Sequence, residues 1–171
     1  MVSSTTRVWF ITGASAGLGL ALTRSVLARG DYVIATARSL RSFDELRQDP
    51  KIDETRLKFL VLDVTSPMEE IKHVVEEALG IWGHVDVLVN NAGTLTYGAS
   101  EELGAEGVMK DMKTNFVGPM NVTNAVLPYM RSRRDGTIVF VGSRSAYRTQ
   151  MIVRKFGLCI ICSLLTPSVL L

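Results

Sequence analysis

Two cysteines and two histidines are all that the 171 residues offer to soft-metal or proton-switching chemistry. Cys159 and Cys162 make one Cys-x-x-Cys, without the second pair or the spaced histidines that a zinc site needs. His73 and His84 stand alone. No metal is therefore expected. Two thiols make no disulfide framework, so a reduced, cytoplasmic setting is the expectation. An excess of charge is lacking too. A net +2 is too small to argue for nucleic acid or an anionic membrane as partner. The N-terminus has no basic stretch followed by an apolar run, so no signal peptide is expected. The apolar stretch Phe156 to Leu171 has 16 residues and contains Pro167. That is short of the ~20 a membrane span needs, and a tail anchor after Arg154-Lys155 is only a minor alternative.

What is present is a globular composition, 47% hydrophobic and 21% charged, suited to one soluble domain with a full core. The N-terminal stretch organises it. Val8-Trp9-Phe10-Ile11 is a short run of strand formers that reads as a buried strand. Gly13, Gly17 and Gly19 follow. Leu20 to Ala28 then has helical spacing and ends at Gly30, a C-cap residue. The glycines thus occupy a strand-to-helix turn, where the first helical N–H groups lack partners and the helix dipole favours an anion. Glycine also lets a diphosphate approach without meeting a Cβ. An ordinary glycine-rich turn looks alike in isolation, but a dinucleotide site requires the preceding strand and the following helix, and both are present.

Tyr32 to Ala37 reads as a second strand. A dinucleotide fold that takes NAD carries an acid about twenty residues past the glycines, bonded to the ribose hydroxyls. Here the strand ends in Ala37-Arg38. Arg38 offers a guanidinium fork to a 2′-phosphate, so NADP is expected over NAD. A helix is expected from Leu40 to near Pro50. Leu57 to Leu62 is a third strand, with Asp63 at its tip, either facing a ligand or capping the next helix. That helix is expected over Pro67 to Leu79, broken by Gly80 and Gly83. Val85 to Val89 is a fourth strand, running into Asn90-Asn91-Ala92-Gly93. Residues 101–132 read as mostly helical, bent at Thr114 to Pro119. Thr137 to Ser143 is a fifth strand. Alternating strands and helices make βαβ units with right-handed crossovers. The fold class is α/β: a Rossmann-type, doubly wound parallel sheet of about five strands.

Together these residues resemble the classical short-chain dehydrogenase/reductase family. Ser39, Tyr97 and Gly142-Ser143-Arg144-Ser145 look like its fungal-type members. The resemblance covers residues 7 to about 149 and rests on Thr12 to Gly19, Asp63-Val64, Asn90 to Gly93, Asn115 and Ser143, in that order. It implies an NADP-dependent oxidoreductase acting on carbonyl or alcohol groups of a small molecule. It implies that the turn with Gly13, Ser15, Gly17, Leu18 and Gly19 holds the pyrophosphate. By the same resemblance Asp63 and Val64 face the adenine, and Asn90, Ala92 and Gly93 line the cofactor cleft. Arg38 matches the NADP-preferring members. Asn115 resembles the helix asparagine that supports a proton-relay water, and Ser143 the serine that bonds the substrate oxygen.

The family also places Tyr-x-x-x-Lys about a dozen residues after the serine. The tyrosine is the proton donor; the lysine lowers its pKa and holds the nicotinamide ribose. Thirteen residues after Ser143 stands Phe156, and four further stands Ile160. Tyr32, Tyr97, Tyr129 and Tyr147 are followed four residues on by Thr36, Glu101, Arg133 and Met151. Tyr129 and Arg133 precede the serine and read as helix-end surface residues. Residues 1–150 are thus expected to be an NAD(P)-binding Rossmann domain and 151–171 a divergent apolar tail. The tail lacks the family's final helix and strands, as out-of-frame or unspliced sequence would. Catalysis by the chain as written and family-type dimerisation are expected to be compromised. The alternative is a non-catalytic NADP-binding relative.

Overall fold

Strands β1 (Val8–Thr12), β2 (Tyr32–Ala37), β3 (Leu57–Val61), β4 (Val87–Asn90) and β5 (Thr137–Phe140) form one sheet in the order β3-β2-β1-β4-β5. Every pairing between them is parallel; Trp9 of β1 faces Val33 on one side and Val87 on the other. The crossovers carry α1 (Gly17–Ala28), α2 (Asp44–Arg47), α3 (Met68–Trp82), α4 (Ser100–Met112) and α5 (Gly118–Arg133). This computed structural model describes residues 6–96 and 100–143. Tyr97, Tyr147, Cys159, Cys162 and the expected tail 151–171 lie outside the described residues.

The period-two alternation of each strand sends its side chains to two cores. Phe10, Ile34, Leu60 and Leu88 turn to the face where Ile71 and Val75 of α3 meet Val122 and Val126 of α5. Ile11, Val33, Ala35, Val87 and Val89 turn to the other, under Leu20, Val26 and Leu27 of α1 and under Phe43 and Leu46. A sheet covered on both faces explains why its central strands read as continuous apolar runs. Among the described residues no helix is long and apolar enough to cross a membrane.

Strand β4 starts two residues later than expected, at Val87, and three further elements differ from expectation. The helix expected from Leu40 is a 3-10 turn, Leu40–Phe43, followed by the single turn α2. Only Phe43 and Leu46 are buried there, too narrow an apolar stripe to hold more helix. Asp49 closes the segment, its carboxylate accepting from Lys51 N and Arg24 Nε. Helix α3 runs through Gly80 to Trp82 and stops at Gly83, whose φ of +82° is left-handed. An interior glycine costs about 1 kcal/mol against alanine. Trp82 offsets this by packing on Tyr32, ring centroids 4.9 Å apart. Strand β5 ends at Phe140, not Ser143. Val141 N still donates to Asn90 O at 2.9 Å, and there the ladder stops.

The bend expected at Thr114 to Pro119 is a π-helical turn, Lys113–Val117, joining α4 to α5. Such insertions recur at functional sites. Gly118 starts α5 against the end of β3. A Cβ there would stand 2.8 Å from Val64 Cγ2 and 3.0 Å from Val64 O. The strand order reverses between β1 and β4, and in open α/β sheets ligands bind at that point, beyond the carboxyl ends of the strands.

Candidate cofactor-binding site

The turn after β1 is shaped by what glycine permits. Gly13 has φ +64°, and a Cβ there would lie 2.8 Å from Ala92 Cα. At Gly19 a Cβ would overlap the Gly13 carbonyl oxygen and stand 2.5 Å from Asn91 Nδ2, so the first turn of α1 can sit this close to the strand only without a side chain. Gly17 differs. Its φ is +55°, and the space around its missing Cβ is open. Helix α1 begins behind Ala16, with no side-chain cap and no acid in its first turn. Helix α3, by contrast, carries Glu69 and Glu70 in its first turn. The free N–H groups and the positive dipole end of α1 are therefore left for an outside anion.

A cleft of about 720 Å³ opens at this turn. Gly13, Ser15, Gly17, Leu18, Arg38, Asp63, Val64, Ala92 and Gly93 line it, as the sequence suggested. Gly19 and Asn90 do not line it. Gly19 braces the turn from behind. Asn90 is buried and its Nδ2 donates to Thr123 Oγ1 of α5 at 3.0 Å. Its Oδ1 is buried without a partner among the described residues. Asp63 is no helix cap, since α3 begins only at Met68. Its Oδ1 accepts from Thr65 N at 2.9 Å and Thr65 Oγ1 at 2.7 Å, turning the chain locally at the cleft wall.

Lys110, Lys113, Thr114 and Val141 also line the cleft and were missed in the sequence. The lysines sit five and two residues before Asn115, Lys110 in the last turn of α4 and Lys113 at the start of the π turn. Arg38, Lys110 and Lys113 form no ion pair among the described residues. Asp63 is the one carboxylate among the lining residues, so the cleft favours a polyanion.

The loop after β4 is held by side chains. Thr12 Oγ1 donates to Val89 O at 3.2 Å and accepts from the N–H groups of Asn91 and Ala92, each at 3.0 Å. Asn91 Nδ2 donates back to Thr12 O at 2.9 Å and Gly13 O at 3.0 Å. Asn115 is committed to Thr94: its Oδ1 accepts from Thr94 N and its Nδ2 donates to Thr94 O, both at 2.8 Å. Ser143 is exposed beyond the end of β5. Neither Asn115 nor Ser143 lines the cleft. Among the described residues no three His, Cys, Asp or Glu side chains gather to hold a metal.

The chain is similar to known proteins over most of its length. The family model for short chain dehydrogenase matches residues 7–154. Oxidoreductase BOA17 of Botryotinia fuckeliana (strain B05.10) is 36% identical over 138 residues, 81% of this chain and 49% of that relative. A short-chain dehydrogenase structure from Streptomyces avermitilis is 38% identical with a TM-score of 0.76, over 85% of this chain and 52% of that one. An actinorhodin polyketide ketoreductase with NADPH is 31% identical with a TM-score of 0.78, over 90% and 59% of the two chains. The chain spans about half the length of the curated relatives it matches. With five parallel strands, a glycine turn that admits an anion, and a family match over most of its length, the chain belongs to the short-chain dehydrogenase family.

Proposed function

We propose that this chain binds NADP(H) in the cleft, as the cofactor-holding part of an oxidoreductase acting on carbonyl or alcohol groups of a small molecule. The observation that carries the cofactor preference is Arg38. It stands at the tip of β2, lines the same cleft as the glycine turn, and follows Ala37 where an NAD enzyme would place an acid. The donor set fits the group. The open face at Gly17 and the uncapped start of α1 suit a diphosphate, Arg38 suits a 2′-phosphate, and Val64 offers an apolar wall to the adenine. The NADPH-bound ketoreductase among the similar structures supports this reading. Bound NADPH supplies a hydride.

Reduction of a carbonyl also needs a proton at its oxygen, and a positioned general acid contributes about 10²–10⁴-fold. The 171 residues hold no Tyr-x-x-x-Lys to provide one. Ser143 corresponds to the serine expected to bond a substrate oxygen, and Asn115 braces the loop after β4 through Thr94. We therefore propose that these 171 residues by themselves hold the cofactor without useful turnover. A non-catalytic NADP-binding role is the second reading, favoured by that same missing motif. Charge balance and cysteine content support a cytoplasmic setting with neither nucleic acid nor membrane as partner.

The test is a fluorescence titration of the chain with NADPH and NADH. NADPH is expected to bind more tightly, and Arg38→Asp to weaken it by about 10- to 100-fold, the worth of one charge-assisted bond. Equal affinity for the two cofactors would overturn the preference. In an NADPH-oxidation assay over a panel of ketones and aldehydes, no turnover is expected. Turnover abolished by Tyr147→Phe would overturn the non-catalytic reading.

A further inference from the structure

Asp111 is a carboxylate with no part in the reading above, yet it is 1% exposed. Burying a charge is costly unless it is well bonded. Both its oxygens accept from Thr96. Oδ2 accepts from Thr96 N at 3.1 Å and Oδ1 from Thr96 Oγ1 at 2.8 Å. Four residues on, Asn115 makes its reciprocal amide pair with Thr94. The two clamps share a geometric logic. Residues four apart on a helix are ~6 Å apart along its axis. Alternate residues of an extended chain are ~6.6 Å apart. The loop that follows Gly93 therefore runs alongside the end of α4, pinned at every second residue.

Gly93 and Thr94 are themselves cleft wall. They follow β4, on the far side of the strand-order reversal from β2 and β3. A dinucleotide lies across that reversal with one nucleotide on each side. Arg38 marks the adenosine side, so the clamped loop borders the nicotinamide side. We infer that Asp111 is a positioning residue for the cofactor, its buried carboxylate fixing the loop through Thr96 so that Gly93 and Thr94 present a set wall to the nicotinamide half. This rests on the cofactor reading above. Core packing alone needs no charge at this position. An apolar residue would fill the space but would leave the Thr96 N–H and hydroxyl without these acceptors.

Two ligands separate the two halves: NADPH, which spans the whole cleft, and 2′,5′-ADP, which covers only the adenosine side. Both are titrated against the full chain and against Asp111→Ala, Thr96→Val and Asp111→Asn, with thermal melting as the measure of folding. Asp111→Ala is expected to weaken NADPH by about ten-fold while leaving 2′,5′-ADP within about two-fold. Thr96→Val, which keeps the N–H bond, should give a smaller loss of the same kind. Asp111→Asn should restore most of the affinity, since its amide can accept from Thr96 N and donate to Thr96 Oγ1. A role confined to stability would instead lower the melting temperature and weaken both ligands in parallel, or neither. Either result would overturn the inference while leaving the cofactor reading in place. If Asp111→Ala does not fold, Thr96→Val decides by the same ratio. If the unaltered chain bound neither ligand, the cofactor reading itself would fall, and this inference with it.

Discussion

The two sides of the cleft are built by different means. On the side of β1, β2 and β3, the wall is built around backbone: Gly13 and Gly17 at positive φ and the bare N-terminus of α1, with Arg38, Asp63 and Val64 bordering it. On the side of β4 and β5, the wall is a loop held by side chains that reach it from distant parts of the chain: Thr12 and Asn91 across 79 residues, Asn115 and Thr94 across 21, Asp111 and Thr96 across 15. The first kind of wall tolerates no added atoms where it is packed, at Gly13 and Gly19. The second tolerates no lost hydrogen bonds. Substitutions should therefore fail in opposite ways on the two sides.

The largest effect is expected from adding one methyl at Gly19. Its Cβ would overlap the Gly13 carbonyl, which is backbone and cannot swing away. Gly19→Ala should cost about 3 kcal/mol in chemical denaturation, the upper range for overpacking, and should abolish NADPH binding. Gly17→Ala sharpens the contrast. Space is open there, so only the left-handed φ is penalised, at roughly 1–2 kcal/mol. If the two variants lost equal stability, crowding would not be what fixes Gly19, and the backbone account of this wall would fail.

This division also explains what could be read in the sequence. Five strands, their parallel pairing and the glycine turn are legible because backbone rules are local: apolar runs, turn glycines, helical spacing. Arg38 was legible because it lies one residue past a strand whose end could be located. The second wall was not legible in the same way. Nothing in Asp111-Met112-Lys113-Thr114-Asn115 says that Asp111 will meet Thr96, because that pairing depends on how the π turn sets α4 over the loop. Lys110 and Lys113 look like solvated surface charges for the same reason. Asn90 was placed at the cofactor by its neighbours in Asn-Asn-Ala-Gly, whereas its side chain turns into the sheet–helix packing against Thr123. The stretch from Leu40 failed for a simpler reason, its apolar stripe being too narrow to sustain a helix.

The contrast recurs at the opposite end of the strands. Before β4, Asp86 Oδ2 accepts from Val8 N at 2.8 Å and lies 3.2 Å from His84 Nε2, while Oδ1 accepts from Arg133 Nη2 at 2.9 Å. Arg133, expected to be a surface residue, also donates to Val85 O at 3.3 Å and so ties the end of α5 to the sheet. Asp86→Ala strands a half-buried N–H of β1 and should cost about 2 kcal/mol. Arg133→Met removes a half-exposed cation and its longer bond to Val85 O, and should cost about 1 kcal/mol or less. Urea denaturation of both variants checks the order. Equal losses would mean that the ion pair, and not the bond to Val8, is what Asp86 supplies.

The smallest effect belongs to a similar clasp at the start of β3. Asp53 is paired with Arg56 at 3.3 Å, and Arg56 in turn donates to Gly30 O at 2.8 Å. This pair is exposed, so it should contribute little to stability. Its carboxyl is nonetheless held below the usual 3.8, first by the Thr55 hydroxyl, then by the Thr55 N–H, against an opposing effect of desolvation, with Arg56 adding the weakest attraction. A carboxyl whose pKa is lowered on folding stabilises the fold above its unfolded pKa and loses that contribution as pH falls through the folded value. The window therefore lies at and below about pH 3.8, with no change expected near neutrality. An NMR titration of the Asp53 carboxyl should show a midpoint below that of an unstructured aspartate, and Thr55→Val should move it back up by removing the largest cause. An unchanged midpoint in Thr55→Val would assign the shift to the backbone N–H and to Arg56. The exposed clasp would then resemble the Asp86 one, where a main-chain donor and an arginine share the carboxylate.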